Sequence, residues 1–286
     1  SARYLSATEK RGRATSRPMR ARRLFATLCL VILLSGCFGT EEPLVDDHGG
    51  EQSISADFLP LIAAEEGAPV TANVRTMDVD GDGEDEVVFT EPIAGRIGWV
   101  ESTCVYGACE ATLIEGLGAP VRTSSADLDG NGIVELIVAD IGILPPSDDL
   151  AGSVVLLRRD AEGNFSNETL HSGIGRVACA EAADLDGDGD LDIVVCEFGN
   201  LNGSVLWLEQ EDNGSFSPHE IDARPGAIHA FPFDADGDGD LDLAVSLSQL
   251  SEEVNLYRND GEGNFTLETL VKSDNTWFGM SGLEVY

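Results

Sequence analysis

A nine-residue acidic pattern occurs four times in this chain and constrains the fold more than any other feature. Each copy has Asp or Asn at positions 1, 3 and 5, glycine at positions 4 and 6, and an acid at position 9. The copies, called loops 1 to 4, are residues 78–86, 127–135, 184–192 and 234–242. Each is followed at once by a short apolar run and preceded by strand-like alternation. The pattern therefore predicts four loops that each join two strands.

The residue types of these loops predict calcium binding. Calcium takes about six to eight oxygen ligands, and alternate residues of a tightly wound loop can point at one ion. Positions 1, 3, 5 and 9 supply side-chain oxygens, and position 7 supplies a backbone carbonyl. Because Asn131 removes one charge, loop 2 is expected to be the weakest site. The predicted ligands, for about four ions, are Asp78, Asp80, Asp82, Glu84, Glu86, Asp127, Asp129, Asn131, Ile133, Glu135, Asp184, Asp186, Asp188, Asp190, Asp192, Asp234, Asp236, Asp238, Asp240 and Asp242.

Other interpretations of the acidic loops fit less well. An EF-hand needs Glu at loop position 12, where this chain has Phe89, Val138, Val195 and Val245. A dockerin-like module would place helices after its loops, but β-branched runs follow them here. A merely solvated acidic turn would not need the same ligand positions in four copies. The sequence therefore favours metal sites in an all-β chain.

Each repeat of about 50 residues continues with two more strands around a turn such as 160–165 or 260–265. Four short strands are the content of one propeller blade. On these motifs the chain resembles the FG-GAP/VCBS repeat proteins, calcium-loop β-propellers that include the head of integrin α chains. The resemblance covers 54–286 and implies four-stranded antiparallel blades from a seven-bladed ring. The predicted blades are about 68–116, 119–171, 174–222 and 225–271, with the start of a fifth at 276–286.

The residues at the two ends of the repeat region support two further predictions. The next motif Asp would fall just after Tyr286, so we expect the sequence to be truncated there. Residues 54–62 resemble the last strand of a blade and are expected to complete one, which would remove an open sheet edge. The alternative is a disordered extension.

The N-terminal region predicts export. Residues 1–18 look like upstream, non-native translation, and 19–36 carry arginines before the apolar run 24–34, as in a secretory signal. The sequence 34–37 resembles the lipobox of bacterial-type lipoproteins, which implies lipidation of Cys37 and anchoring to the cell envelope or surface. A plain signal peptide or an uncleaved anchor are the alternatives. Residues 37–53 then form an acidic tether.

Four further cysteines suit an oxidising compartment. Cys104 and Cys109 flank a hairpin tip, and Cys179 and Cys196 lie on strands joined by loop 3. Two disulfides are predicted. A zinc site built from all four is the alternative, although the chain lacks a Cys-x-x-Cys motif.

Composition and motifs limit the function. The net charge of −35 excludes nucleic acid as a partner, because its phosphate groups would repel the chain. Anionic lipid headgroups would repel it in the same way, so the predicted N-terminal lipid is the expected membrane contact. The basic residues after position 36 are scattered and no catalytic constellation is visible, so an enzyme is not predicted.

Trp99, Trp207 and Tyr257 are interpreted as equivalent inter-blade packing residues, and His229 as a residue that can face a central channel. The resemblance implies a binding or adhesion module for a glycan or protein. The alternative is the propeller scaffold of a secreted polysaccharide-degrading enzyme such as a lyase.

Overall fold

The computed structural model describes residues 70–104, 109–249, 252–273 and 283. The segments 1–18, 19–36, 37–53 and 54–62, with Cys37, lie outside the described residues, as does 276–286 except for residue 283. All described residues belong to the compact unit Gly50–Tyr286. Within the described ranges no helix is long and apolar enough to cross a membrane.

The described residues form 16 strands in four antiparallel four-stranded sheets, with no helix among them. Each sheet keeps chain order, so its first strand neighbours its second and its fourth lies at the far edge. The all-β fold with four-stranded propeller blades is therefore confirmed.

Blade 1 contains β1 Asn73–Met77, β2 Glu86–Glu91, β3 Arg96–Glu101 and β4 Thr112–Glu115. Blade 2 contains β5 Pro120–Ala126, β6 Glu135–Asp140, β7 Gly152–Arg159 and β8 Phe165–Ile174. Blade 3 contains β9 Arg176–Ala183, β10 Asp192–Phe198, β11 Ser204–Gln210 and β12 Phe216–Asp222. Blade 4 contains β13 Ala227–Phe233, β14 Asp242–Ser248, β15 Glu252–Asn259 and β16 Phe265–Ser273.

The second strand of each blade is its most deeply buried element. All six residues of β6 are buried, and β10 is buried from Asp192 to Glu197. These runs are rich in Val, Ile and Leu because both of their faces pack against neighbouring blades. In contrast, β16 is largely exposed and carries Leu267 and Val271 at 46% and 54% exposure.

Three apolar clusters hold successive blades together. The cluster between blades 1 and 2 is centred on Ile97 and Leu136, and the one between blades 2 and 3 on Ile137 and Val195. The cluster between blades 3 and 4 includes Leu243. The first strands also meet, since β9 contacts both β5 and β13 and β1 contacts β5. Residues on the first strands of different blades are therefore neighbours in space.

A buried acid at the end of the second strand anchors the chain between blades. In blade 2, Asp140 is 3% exposed and accepts backbone N–H groups from Gly118 and Ala119, both at 2.7 Å, and from Gly142 at 2.9 Å. In blade 3, Glu197 accepts from the Gly175 N–H and from the Ser204 hydroxyl at 2.6 Å. Sequence reasoning missed these acids because each follows an apolar run and resembles an exposed strand end.

The third strands correct one predicted equivalence. Trp99 lies opposite Val88 and Trp207 opposite Val194, at matching positions of blades 1 and 3. In blade 4 Leu256 takes that place, because Tyr257 pairs with Leu243 one residue along. A shift of one residue turns a side chain to the other face of a strand. Tyr257 therefore packs in the cluster between blades 3 and 4, beside the Asp222 carboxylate.

Candidate metal centres in the blade loops

Each acidic loop joins the first and second strands of its blade, so the four loops occupy equivalent places. The glycines at positions 4 and 6 have positive φ, 76° and 92° for Gly81 and Gly83 in loop 1. A side chain would be strained there, whereas glycine lets the loop wind tightly. The winding turns successive acids toward a common centre.

Three carboxylates converge in every loop. In each group one oxygen per residue lies within 4.8 Å of the others. Two oxygens that bind one calcium ion at about 2.4 Å can be at most about 4.8 Å apart, so each group matches the span of a calcium shell. The groups are Asp78, Asp80 and Glu86; Asp127, Asp129 and Glu135; Asp184, Asp186 and Asp192; and Asp234, Asp236 and Asp238.

The remaining predicted ligands have other roles in the loops. At position 5 the side chain accepts the backbone N–H of position 7, as in Asp82 with Glu84 at 2.8 Å and Asn131 with Ile133 at 2.7 Å. Position 7 contributes no carboxylate to the converging groups, and its role as a ligand through the backbone carbonyl stays a prediction. The four residues at that position are Glu84, Ile133, Asp190 and Asp240. In loop 4 Asp242 stands outside the converging group, where Asp238 takes its place.

The acid at position 9 lies at the buried base of each loop. Glu86, Glu135, Asp192 and Asp242 are at most 2% exposed. Each accepts the backbone N–H of position 2, for example Val79 to Glu86 Oε2 at 2.7 Å and Leu185 to Asp192 Oδ2 at 3.0 Å. One carboxylate therefore supports each loop from inside, and in loops 1 to 3 it also faces the other acids of the converging group.

In loops 1 to 3, burial makes the carboxylate at position 9 costly to ionise without a cation. Burial is the largest cause that raises the pKa of Glu86 and of Glu135, and it raises the pKa of Asp192 to about 6. Neighbouring loop acids raise these pKa values further. A divalent ion would reverse the effect, because it stabilises the charged form.

The residues fit a calcium ion on a second, independent observation. The Oε1 atom of Glu86 is buried and has no hydrogen-bond partner among the described residues. An unpaired buried carboxylate oxygen is unfavourable unless a cation or donor satisfies it. Because Asp78 and Asp80 also face it, the missing partner of Glu86 matches a hard cation with oxygen ligands.

Hydrogen bonds also connect loops 1 and 2 to the blade that follows each of them. The Gln210 side chain donates to the Leu128 carbonyl of loop 2 at 3.0 Å, while its backbone N–H donates to Asp192 of loop 3 at 2.8 Å. The Arg159 guanidinium similarly donates to the Asp80 carbonyl of loop 1 at 2.6 Å. Each of these two loops is therefore held to the third strand of the following blade.

Charged residues also meet on the first strands, which corrects the view that the basic residues are scattered. Arg75 of β1 contacts Glu181 of β9 at 3.1 Å, and Arg122 of β5 contacts the same carboxylate at 3.3 Å. Arg122 also contacts the Nδ1 atom of His229 on β13. These four residues are called the inner-strand cluster. Sequence spacing does not reveal it, because it forms only where the first strands of four blades meet.

The cysteines pair in two disulfides, Cys104 with Cys109 and Cys179 with Cys196. Cys179 and Cys196 face each other directly on β9 and β10, with Cα atoms 4.9 Å apart. The pairing leaves no described thiol for the alternative zinc site.

The tryptophans pack between blades. Trp99 lies edge-on to Phe165 of blade 2 with ring centroids 5.4 Å apart, and Trp207 packs against Gly263 of blade 4. Both indoles are 7% exposed, which leaves too little surface for a sugar to stack on.

Comparison with known proteins places repeats in the middle of the chain. A search of curated proteins finds no significant match. Residues 127–195 and 184–245 each match the FG-GAP-like repeat family. Each match begins at the first Asp of one loop and ends in the strand after the next loop. FG-GAP-like repeats are thus present in two overlapping places, across blades 2 to 4.

Proposed function

We propose that this chain is a calcium-stabilised β-propeller that acts outside the cell as a binding or adhesion module for a glycan or a protein. The observation that carries the proposal is the convergence of three carboxylates in each of four equivalent loops. Chelation of one ion per loop would remove the repulsion between these acids and fix the connection between two strands. When bound, calcium supplies charge neutralisation and geometry rather than chemistry.

Calcium titration of the metal-free protein tests the proposal. We expect about four ions to bind and the melting temperature to rise with calcium, because ligands that bind only the folded state stabilise it. The variant Asp186→Ala with Asp188→Ala should bind one ion fewer. The double variant Asp149→Ala with Asp212→Ala removes the same charge at exposed positions outside the loops. It should therefore bind as many calcium ions as the unmodified protein. Unchanged stoichiometry in the loop variant would contradict the assignment.

Extracellular location agrees with two features. FG-GAP repeats and disulfides are typical of extracellular proteins. The finer proposal is a lipid anchor on Cys37, which the residues before it suggest. Labelling of cells with a fatty-acid analogue should mark the protein, and Cys37→Ser should abolish the label. Label retained in Cys37→Ser would overturn the anchor without affecting the calcium proposal.

A second candidate function, the scaffold of a polysaccharide-degrading enzyme such as a lyase, is favoured by the inner-strand cluster. Two arginines that share one carboxylate, with a histidine beside one of them, are unusual in a chain with a net charge of −35. Burial is the largest cause that lowers the pKa of Arg122, although Glu181 opposes it. The cluster offers cationic groups that would suit an acidic sugar.

Alginate and neutral dextran are suitable probes for this candidate. Binding of alginate but not dextran, lost in Arg122→Gln, would support recognition of an acidic glycan. Formation of unsaturated sugar ends would favour the enzyme. Failure of the chain to bind or cleave alginate would leave the cluster with a structural role between blades.

A further inference from the structure

The residue opposite position 9 on the third strand differs among the four blades. Glu86 lies directly opposite Glu101 in blade 1. The register of the other blades places Arg158 opposite Glu135, Glu209 opposite Asp192, and Arg258 opposite Asp242. Loops 1 and 3 thus face a carboxylate, whereas loops 2 and 4 face an arginine.

The two arginines contact carboxylates of the acidic loops, and three of these four carboxylates belong to the converging groups. Arg258 Nη1 lies 3.0 Å from Asp236 Oδ2 and 3.8 Å from Asp242 Oδ2. Arg158 Nη1 lies 3.5 Å from Asp129 Oδ2 and 3.3 Å from Glu135 Oε1.

Each arginine is held in place by a second acid on the fourth strand. Arg158 contacts Glu168 at 3.2 Å and Arg258 contacts Glu268 at 3.2 Å. Among the described residues these two arginines make all of the ion pairs to loop carboxylates. In loop 1, the nearby Arg159 donates to a backbone carbonyl instead.

We infer that Arg158 and Arg258 are built-in counter-cations that partly neutralise loops 2 and 4 and compete with calcium for their carboxylates. Within the described part of the chain, loops 1 and 3 pair with no such cation and face a further negative charge. The four loops therefore divide into two tighter sites and two weaker sites in alternate blades. Loops 2 and 4 keep their fold when calcium is scarce, and loops 1 and 3 depend on it. This inference rests on the proposed calcium sites.

Loops 3 and 4 provide a matched comparison, because their nine residues differ only at position 2, Leu185 and Ala235. Isothermal titration of the metal-free protein with calcium should resolve two tight and two weaker sites. In Arg258→Gln, loop 4 should bind calcium about tenfold more tightly, since one positive charge a few ångströms away is removed. In Glu209→Arg, loop 3 should bind at least about tenfold more weakly, because the charge opposite Asp192 changes by two units rather than one. The melting temperature of metal-free Arg258→Gln should fall below that of the unmodified protein and recover in calcium.

Glu268→Gln is the matched control, because it removes the outer partner of Arg258 and leaves the arginine at the loop. In Glu268→Gln, the affinity of loop 4 for calcium should stay as weak as in the unmodified protein. Arg258 is 37% exposed, so its replacement leaves the buried core intact. Four ions bound with unchanged affinity in Arg258→Gln and Glu209→Arg would overturn the inference and leave the calcium sites standing. No calcium bound to the unmodified protein would overturn the proposed function itself.

Discussion

The side-chain amide of Asn259 donates a hydrogen bond to the backbone carbonyl of Leu185 at 2.6 Å, which joins blade 4 to loop 3. The backbone N–H of Asn259 donates to Asp242 of loop 4 at 2.8 Å. One buried residue, 7% exposed, therefore connects two successive acidic loops. The same side chain also donates to the Leu241 carbonyl at 3.1 Å.

Removal of the Asn259 side chain should destabilise the folded protein. Asn259→Ala leaves two carbonyl acceptors without a donor, so we expect the free energy of unfolding to fall by about 1–3 kcal/mol. Urea denaturation in excess calcium measures the change. Asn200→Ala is the control, because Asn200 is exposed on a loop. An equal, small effect of both substitutions would show that the link contributes little.

The stability of the protein at acidic pH should depend on Asp222, the last residue of β12. Burial opposes ionisation of this carboxyl, but hydrogen bonds from Arg224 and Tyr257 outweigh it and lower the pKa of Asp222. A carboxyl with a lowered pKa in the folded state stabilises the fold above its unfolded pKa, near 3.8, and loses this contribution as the pH falls through the folded pKa.

Asp222→Asn should therefore destabilise the protein by about 1–3 kcal/mol at pH 7 and by clearly less at pH 3. Unfolding by urea at the two pH values gives the difference between variant and unmodified protein, in which any common loss of calcium cancels. Asp212→Asn, at an exposed turn, serves as the control. A difference that does not change with pH would contradict the role of Asp222.

The loops and the blade order could be predicted from the sequence because both depend on neighbouring residues. Loop 3 is a contiguous motif, and glycine at positions 187 and 189 marks its winding without reference to other blades. The residues directly after it, 193–196, are all apolar, which indicates burial on both faces.

Features that depend on strand register or on contacts between blades could not be predicted in the same way. The sequence pattern aligns Tyr257 with Trp207, but the pairing of Leu243 with Tyr257 moves it by one residue. Arg122 and His229 are 107 positions apart and meet only because first strands of different blades are adjacent. Arg258 resembles an ordinary surface residue until the register places it opposite Asp242.

The stability of the protein should depend on the charge of Asp140, the buried acid at the end of β6. Its two oxygens accept three backbone N–H groups, so Asp140→Asn would point an amide donor at another donor. We expect the free energy of unfolding to fall by about 2–3 kcal/mol, as hydrogen bonds to a charged group are lost. Asp149→Asn, at an exposed position, should change it little. Equal values for the two variants in urea denaturation would contradict an anchoring role.

The two disulfides should differ in their contribution to stability. Cys179 and Cys196 are separated by 17 residues and enclose loop 3, whereas Cys104 and Cys109 are separated by 5 and enclose residues 105–108, which lie outside the described residues. Closing the longer loop restricts the unfolded chain more, by about 3 kcal/mol against about 2 kcal/mol. Since Cys179 and Cys196 are fully buried, their replacement by alanine also leaves a cavity. Cys179→Ala with Cys196→Ala should therefore lower the free energy of unfolding by more than Cys104→Ala with Cys109→Ala, measured in excess calcium. Equal losses would show that the disulfide around loop 3 contributes no more than the shorter one once calcium holds the loop.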